Sequence, residues 1–130
     1  RAGELRAIAR DDERAARDER RLLNRLRQDL IATFPAALAI AGPDLGAPSF
    51  LRALERWPTA EALAQAPRAE LVAFAREARH GWPERFAGKV AQALAAEHFQ
   101  PRPYLVRAKA DTIRLTAGQL LAIGGQRRAW

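Results

Sequence analysis

Residues 4–34 contain neither proline nor glycine and are dense in alanine, leucine, arginine and glutamate. Those side chains lose little rotamer freedom in a helix, and every residue in the run supplies a backbone N–H. The stretch therefore predicts one long helix, and a long helix gains most of its stability by packing an apolar face against other elements. Seven-residue spacing puts Ala9, Ala16, Leu23 and Leu30 on one line. Leu5, Asp12, Glu19 and Leu26 form the companion line, with Phe34 near the same face. This is a coiled-coil-like seam, apolar at both ends and charged in the middle.

Pro35 bends or restarts the helix, and residues 36–41 continue it to a stop at Gly42-Pro43. In the loop G-P-D-L-G-A-P-S, Ser49 is placed to cap a short helix over residues 50–57. Thr59 caps the next, and Pro67 opens a third near residues 68–79, with Leu71, Val72, Phe74 and Ala75 as its apolar side. H-G-W-P reads as a turn. Residues 83–99 read as a helix burying Phe86, Val90 and Leu94, and Q-P-R-P interrupts the chain again. A last long helix is expected over residues 104–123, its end weakened by Gly124-Gly125. There Val106, Ile113 and Leu120 alternate with Ala110, Ala117 and Gly124, a pattern that lets a second helix approach closely.

No segment alternates as a strand does, so the expected architecture is all-α: two long coiled-coil-like helices with a cluster of short helices inserted between them. Residues 1–41 form the basic amphipathic helix, 42–101 the inserted cluster and 102–130 the closing helix, together one helical domain.

Charge narrows the functional classes. The chain carries 22 Lys+Arg against 15 Asp+Glu, a net +7, and all but two of the cations are arginine. Arginine forks onto phosphate and stacks on bases, which suits a nucleic-acid partner; a high-GC codon supply raises arginine as well. At 48% hydrophobic and 28% charged the chain is globular rather than disordered. It has no cysteine, which removes disulfides and thiolate zinc sites and fits a cytoplasmic location. No apolar run approaches the roughly 20 residues of a membrane span, so no membrane partner is expected. Methionine is absent and residue 1 is arginine, so the chain is expected to be a piece of a longer protein.

Within the first helix, Arg10, Arg14, Arg17, Arg21 and Arg25 fall within about 80° of one another, roughly opposite Leu23, Leu26 and Leu30. They make one track of about 22 Å at the helical rise. Like charges at i,i+4 cost a helix roughly 0.2–0.5 kcal/mol per pair, so stability alone would alternate the signs. Asp11, Asp18 and Asp29 gather instead on the neighbouring face. Two readings follow: contact with phosphates or an acidic partner helix, or a solvated helix supported by Glu13–Arg17 and Arg14–Asp18 pairs. In the last thirty residues Arg102, Arg107, Lys109, Arg114, Arg127 and Arg128 face the single acid Asp111, either as a basic flank or as solvated surface. The candidate nucleic-acid-binding residues are Arg10, Arg14, Arg17, Arg21, Arg25, Arg107, Lys109 and Arg114. The candidate packing seam is Leu23, Leu26, Leu30, Val106, Ile113 and Leu120.

Nothing reads as an active site. His80 and His98 sit at helix ends, where a structural role is expected. Asp11-Asp12-Glu13 point in three directions on a helix and cannot converge on one metal ion. Phosphate-loop, metalloprotease and nucleophile-elbow motifs are missing. Trp57-Pro58 and Trp82-Pro83 are aromatic-proline turns, in which ring packing competes with base stacking.

Three stretches, R-D-E-R-R-L-L-N-R-L-R-Q-D-L-I-A-T-F-P, F-L-R-A-L-E-R-W-P-T-A-E-A-L-A-Q-A and K-A-D-T-I-R-L-T-A-G-Q-L-L-A, occur in that order. Together they resemble the middle region of insertion-sequence transposases with a resolvase-like DEDD domain, the bridge-RNA-guided recombinases. The resemblance spans essentially the whole chain. It implies a non-catalytic helical coiled-coil segment acting in DNA transposition, with DNA and guide RNA as partners of the parent protein and assembly into a homo-oligomer through the coiled coil. It places the acidic residues, with their divalent metal (expected to be magnesium), in a preceding domain and a serine nucleophile in a following one, so no catalytic residue is carried over. The chain departs from the family at Gly124-Gly125, where a leucine-rich helix usually continues. Two other classes compete: a stand-alone module of helix-hairpin-helix type, suggested by P-T-A-E-A-L-A-Q-A-P-R-A-E-L but lacking its glycine hairpin, and a purely structural interaction fragment.

Overall fold

The computed structural model describes residues 2–78, 83–97 and 101–130. Helix α1 spans Ala2–Thr33, α2 Ala36–Ala41, α3 Pro48–Arg56, α4 Ala60–Gln65, α5 Arg68–Glu77, α6 Pro83–Ala96 and α7 Pro103–Ala129. The described residues contain no strand, and the all-α architecture with two long helices around a short-helix cluster is what forms.

Helix α1 closes with Phe34 N–H donating to the Leu30 carbonyl at 2.7 Å. Pro35 follows in helical conformation, so the chain kinks rather than turning away. Helix α2 has no side-chain cap of its own, but Glu97, just beyond α6, accepts the Ala36 N–H at 3.2 Å, placing a carboxylate at the helix start. Gly42 ends α2 at φ 65°, where a Cβ is strained, and its N–H donates back to the Leu38 carbonyl.

Thr59 caps α4 as its position predicts, its Oγ accepting the Ala62 N–H at 3.1 Å. Ser49 does not cap α3. The helix begins two residues earlier than expected, at Pro48, whose missing N–H costs nothing at that position, and Ser49 falls inside it.

The largest departure from expectation lies in α7, which runs straight through Gly124-Gly125 to Ala129. Two helical glycines cost of the order of 2 kcal/mol relative to alanine. Past the glycines, Arg127 is held by Asp12 and Glu19 of α1.

Helices α1 and α7 pack antiparallel, α3 lies on α7, and α5 pairs with α6, against which α2 also packs. One continuous core joins them. Leu26, Leu30 and Phe34 of the α1 end meet Leu51 and Leu54 of α3 and Ile113 and Ala117 of α7 in that core, all at or below 2% exposure. Across the short-helix cluster Trp57 stacks edge-on against Phe74, centroids 5.1 Å apart, and Phe74 lies 6.0 Å from Phe86. Ring packing thus accounts for the Trp57-Pro58 turn. His80, Trp82, His98 and the ends expected for α5 and α6 lie outside the described residues.

Of the expected seam, Leu26, Leu30, Ile113 and Leu120 are buried, while Leu23 and Val106 are half-buried. The N-terminal apolar end of the seam is uncovered: Leu5 is 70% exposed and Ile8 43%. The last turn of α7 reaches α1 at Asp12, leaving those two side chains beyond it.

Candidate nucleic-acid interface

Burial of one face of α1 decides what its other face presents. With Leu26 and Leu30 held against the core, Arg10, Arg14, Arg17, Arg21 and Arg25 all point to solvent. Arg21 pairs with Asp18 at 2.8 Å, but the two side chains are 77% and 54% exposed, so the pair contributes little. Neither the Glu13–Arg17 nor the Arg14–Asp18 pair forms among the described residues, and Asp18 turns to Arg21 instead. Arg10, Arg14, Arg17 and Arg25 have no ion-pair partner among the described residues. Rigid backbone spacing holds these unpaired guanidiniums in one line, where solvent alone screens the charges from one another.

The acidic face expected beside the track is broken by Asp29. That residue is 7% exposed and pairs through Oδ1 with Lys109 Nζ at 3.2 Å, while its Oδ2 is buried without a hydrogen-bond partner. Lys109 is therefore engaged at the α1–α7 contact. Arg114 likewise turns inward along the surface, its Nε donating to the Glu55 carbonyl at 2.9 Å in the last turn of α3, with Asp111 at 3.4 Å from Nη1. A cation suits that helix end, where backbone carbonyls are unpaired. Arg107 remains exposed and borders a cleft of about 490 Å³ with Glu61 and Glu97 on its wall. The continuous basic flank along both long helices does not form. The free cations of the track lie on α1 alone, and α7 directs Lys109, Arg114 and Arg127 into internal contacts.

Arg127 is the residue whose role the sequence reading missed. Its Nε donates to Asp12 Oδ1 at 2.8 Å, its Nη2 to Asp12 Oδ2 at 3.4 Å and its Nη1 to Glu19 Oε1 at 3.1 Å. The hydrogen bond from Arg127 holds the Asp12 carboxyl below its ordinary value of 3.8. The signal was present in the heptads, where Asp12 and Glu19 lie on the line of Leu26, and Arg127 lies seven residues beyond Leu120. Asp12 is thus committed to Arg127, and among the described residues no group of three or more His, Cys, Asp or Glu is arranged to hold a metal ion. Among those residues, too, no helix is long and apolar enough to cross a membrane.

No protein-family model, curated protein or solved structure matches the chain.

Proposed function

We propose that the chain is a non-catalytic helical segment of a DEDD-type insertion-sequence transposase, in which the antiparallel α1–α7 pair is the scaffold and the α1 arginine track contacts the phosphates of DNA or guide RNA. The order of the three sequence blocks supports the family. The observation that carries the contact is the line of exposed arginines, four of them without an ion-pair partner, on the face opposite a buried seam. A surface serving stability alone gains nothing from that segregation. The catalytic acids, the magnesium and the serine nucleophile belong, on this reading, to other domains of the parent protein. Its assembly as a homo-oligomer uses surface other than the part of the seam that Leu26, Leu30, Ile113 and Leu120 fill within one chain.

The test is a salt titration of binding to an RNA hairpin and to a DNA duplex. Replacing Arg17, Arg21 and Arg25 with glutamine lowers the slope of log K against log salt by up to about three units. An unchanged slope removes phosphate contact from the track and leaves the structural-fragment reading, which the internal commitment of Lys109, Arg114 and Arg127 favours.

A further inference from the structure

Between α1 and α7 lies an open groove of about 560 Å³, lined by residues of those two helices alone. Leu22 on one wall and Ala122 and Ile123 on the other give it an apolar floor. Leu115 extends the floor two turns back along the same side of α7 and is 64% exposed. From Leu115 through Gln119 to Ala122, that exposed side of α7 carries no charge, in a chain that is 28% charged. The α1 rim is the opposite: Arg21 and Arg25 stand over the groove, with Asp18 the one acid beside them in its lining.

We propose that this groove docks an amphipathic α-helix of a partner protein, its apolar stripe on Leu115, Ala122 and Ile123 and its acidic flank against Arg21 and Arg25. An apolar helical stripe laid between two packed helices completes a three-helix arrangement and removes the aliphatic floor from water. Carboxylates along one edge meet the two guanidiniums, and arginine forks onto carboxylate as readily as onto phosphate. A nucleic acid matches the rim but not the floor, because bases stack on aromatic rings and none lines this groove. A second copy of the chain matches poorly, since the chain carries a net +7 and the free face of its longest helix repeats the rim's own sign.

The proposal shares Arg21 and Arg25 with the phosphate track, so the discriminating substitutions fall on α7. The experiment uses the whole chain and two labelled synthetic helical peptides with one leucine stripe, flanked in the first by glutamates and in the second by lysines. Fluorescence anisotropy should show the glutamate peptide binding at least about tenfold more tightly. Ala122→Glu, at an exposed helical position, should weaken that peptide about tenfold with circular dichroism unchanged. Leu115→Ala should weaken it about threefold and leave the RNA salt slope as in the parent chain. Glutamine at Arg10, Arg14 and Arg17 should lower the RNA slope and leave the peptide affinity in place. Equal binding of the two peptides overturns the proposal, as does peptide affinity that neither Ala122→Glu nor Leu115→Ala alters.

Discussion

The two halves of the α1–α7 interface hold the same pair of helices together by different physics. In one half Leu26 and Leu30 meet the buried Ile113 and Leu120 side of α7, all at or below 3% exposure. In the other, Asp12 and Glu19 meet Arg127, whose side chain is 32% exposed. Burial of aliphatic surface is insensitive to pH and salt, whereas a solvated ion cluster responds to both. The first half therefore sets stability. The second sets how far along α1 the last turns of α7 remain attached, and in which register.

The largest effect is expected in the apolar half. Leu26→Ala leaves a cavity at a fully buried position and should cost about 2–5 kcal/mol by chemical denaturation. A cost below about 1 kcal/mol would mean that the seam is not packed as described. Lys109→Ala, at the end of the apolar half farthest from Arg127, removes the counter-charge of a carboxylate that already has one buried oxygen unsatisfied. The loss should be about 1–3 kcal/mol, and Asp29→Asn in the same background should recover part of it, a coupling that a double-mutant cycle reads directly. Gly42→Ala forces a Cβ onto a positive φ and should cost of the order of 1 kcal/mol while leaving both halves of the interface intact.

Arg127→Ala should be the gentlest of these on global stability and the most local. Amides of the last two turns of α7 and of the facing part of α1 should exchange faster, with those around Leu30 and Ile113 unchanged. The pH dependence has a defined sign. A carboxyl whose folded pKa is depressed contributes stability that is present above its unfolded value and lost as pH falls through the folded one. The Asp12 contribution is thus complete above its ordinary 3.8 and is lost as pH falls from there through the lower folded value. A carbon-13 titration should place the Asp12 midpoint below 3.8 in the parent chain and return it towards that value in Arg127→Ala. Identical midpoints in the two proteins would dissolve the distinction between the halves.

The apolar half and the element order were legible because heptad spacing, prolines and a threonine cap act locally, within a few residues of where they appear. Leu26, Leu30, Ile113 and Leu120 are buried as their spacing predicts. The ionic half was not legible, for a reason that is also local. Gly124-Gly125 reads as a helix end, and once α7 stops there Arg127 has no place on the seam. What engages Arg127 is a long-range contact with Asp12 and Glu19, which no local pattern announces. The same limit hid the engagement of Lys109 with Asp29 and of Arg114 with the Glu55 carbonyl, and so left α7 open between a basic flank and a solvated surface. Sequence spacing places a charge on a face of its own helix; it does not say which charge on another helix reaches it. The arginine track was the easier part to read, because its geometry needs α1 alone.

One salt titration tests that contrast between engaged and free cations. The chain is compared with Arg10→Gln/Arg14→Gln/Arg17→Gln and with Lys109→Gln/Arg114→Gln, each titrated against the same RNA hairpin. The track variant should lose up to about three units of slope and the internally engaged pair close to none. Equal loss from both, or loss from the Lys109/Arg114 variant alone, would contradict it.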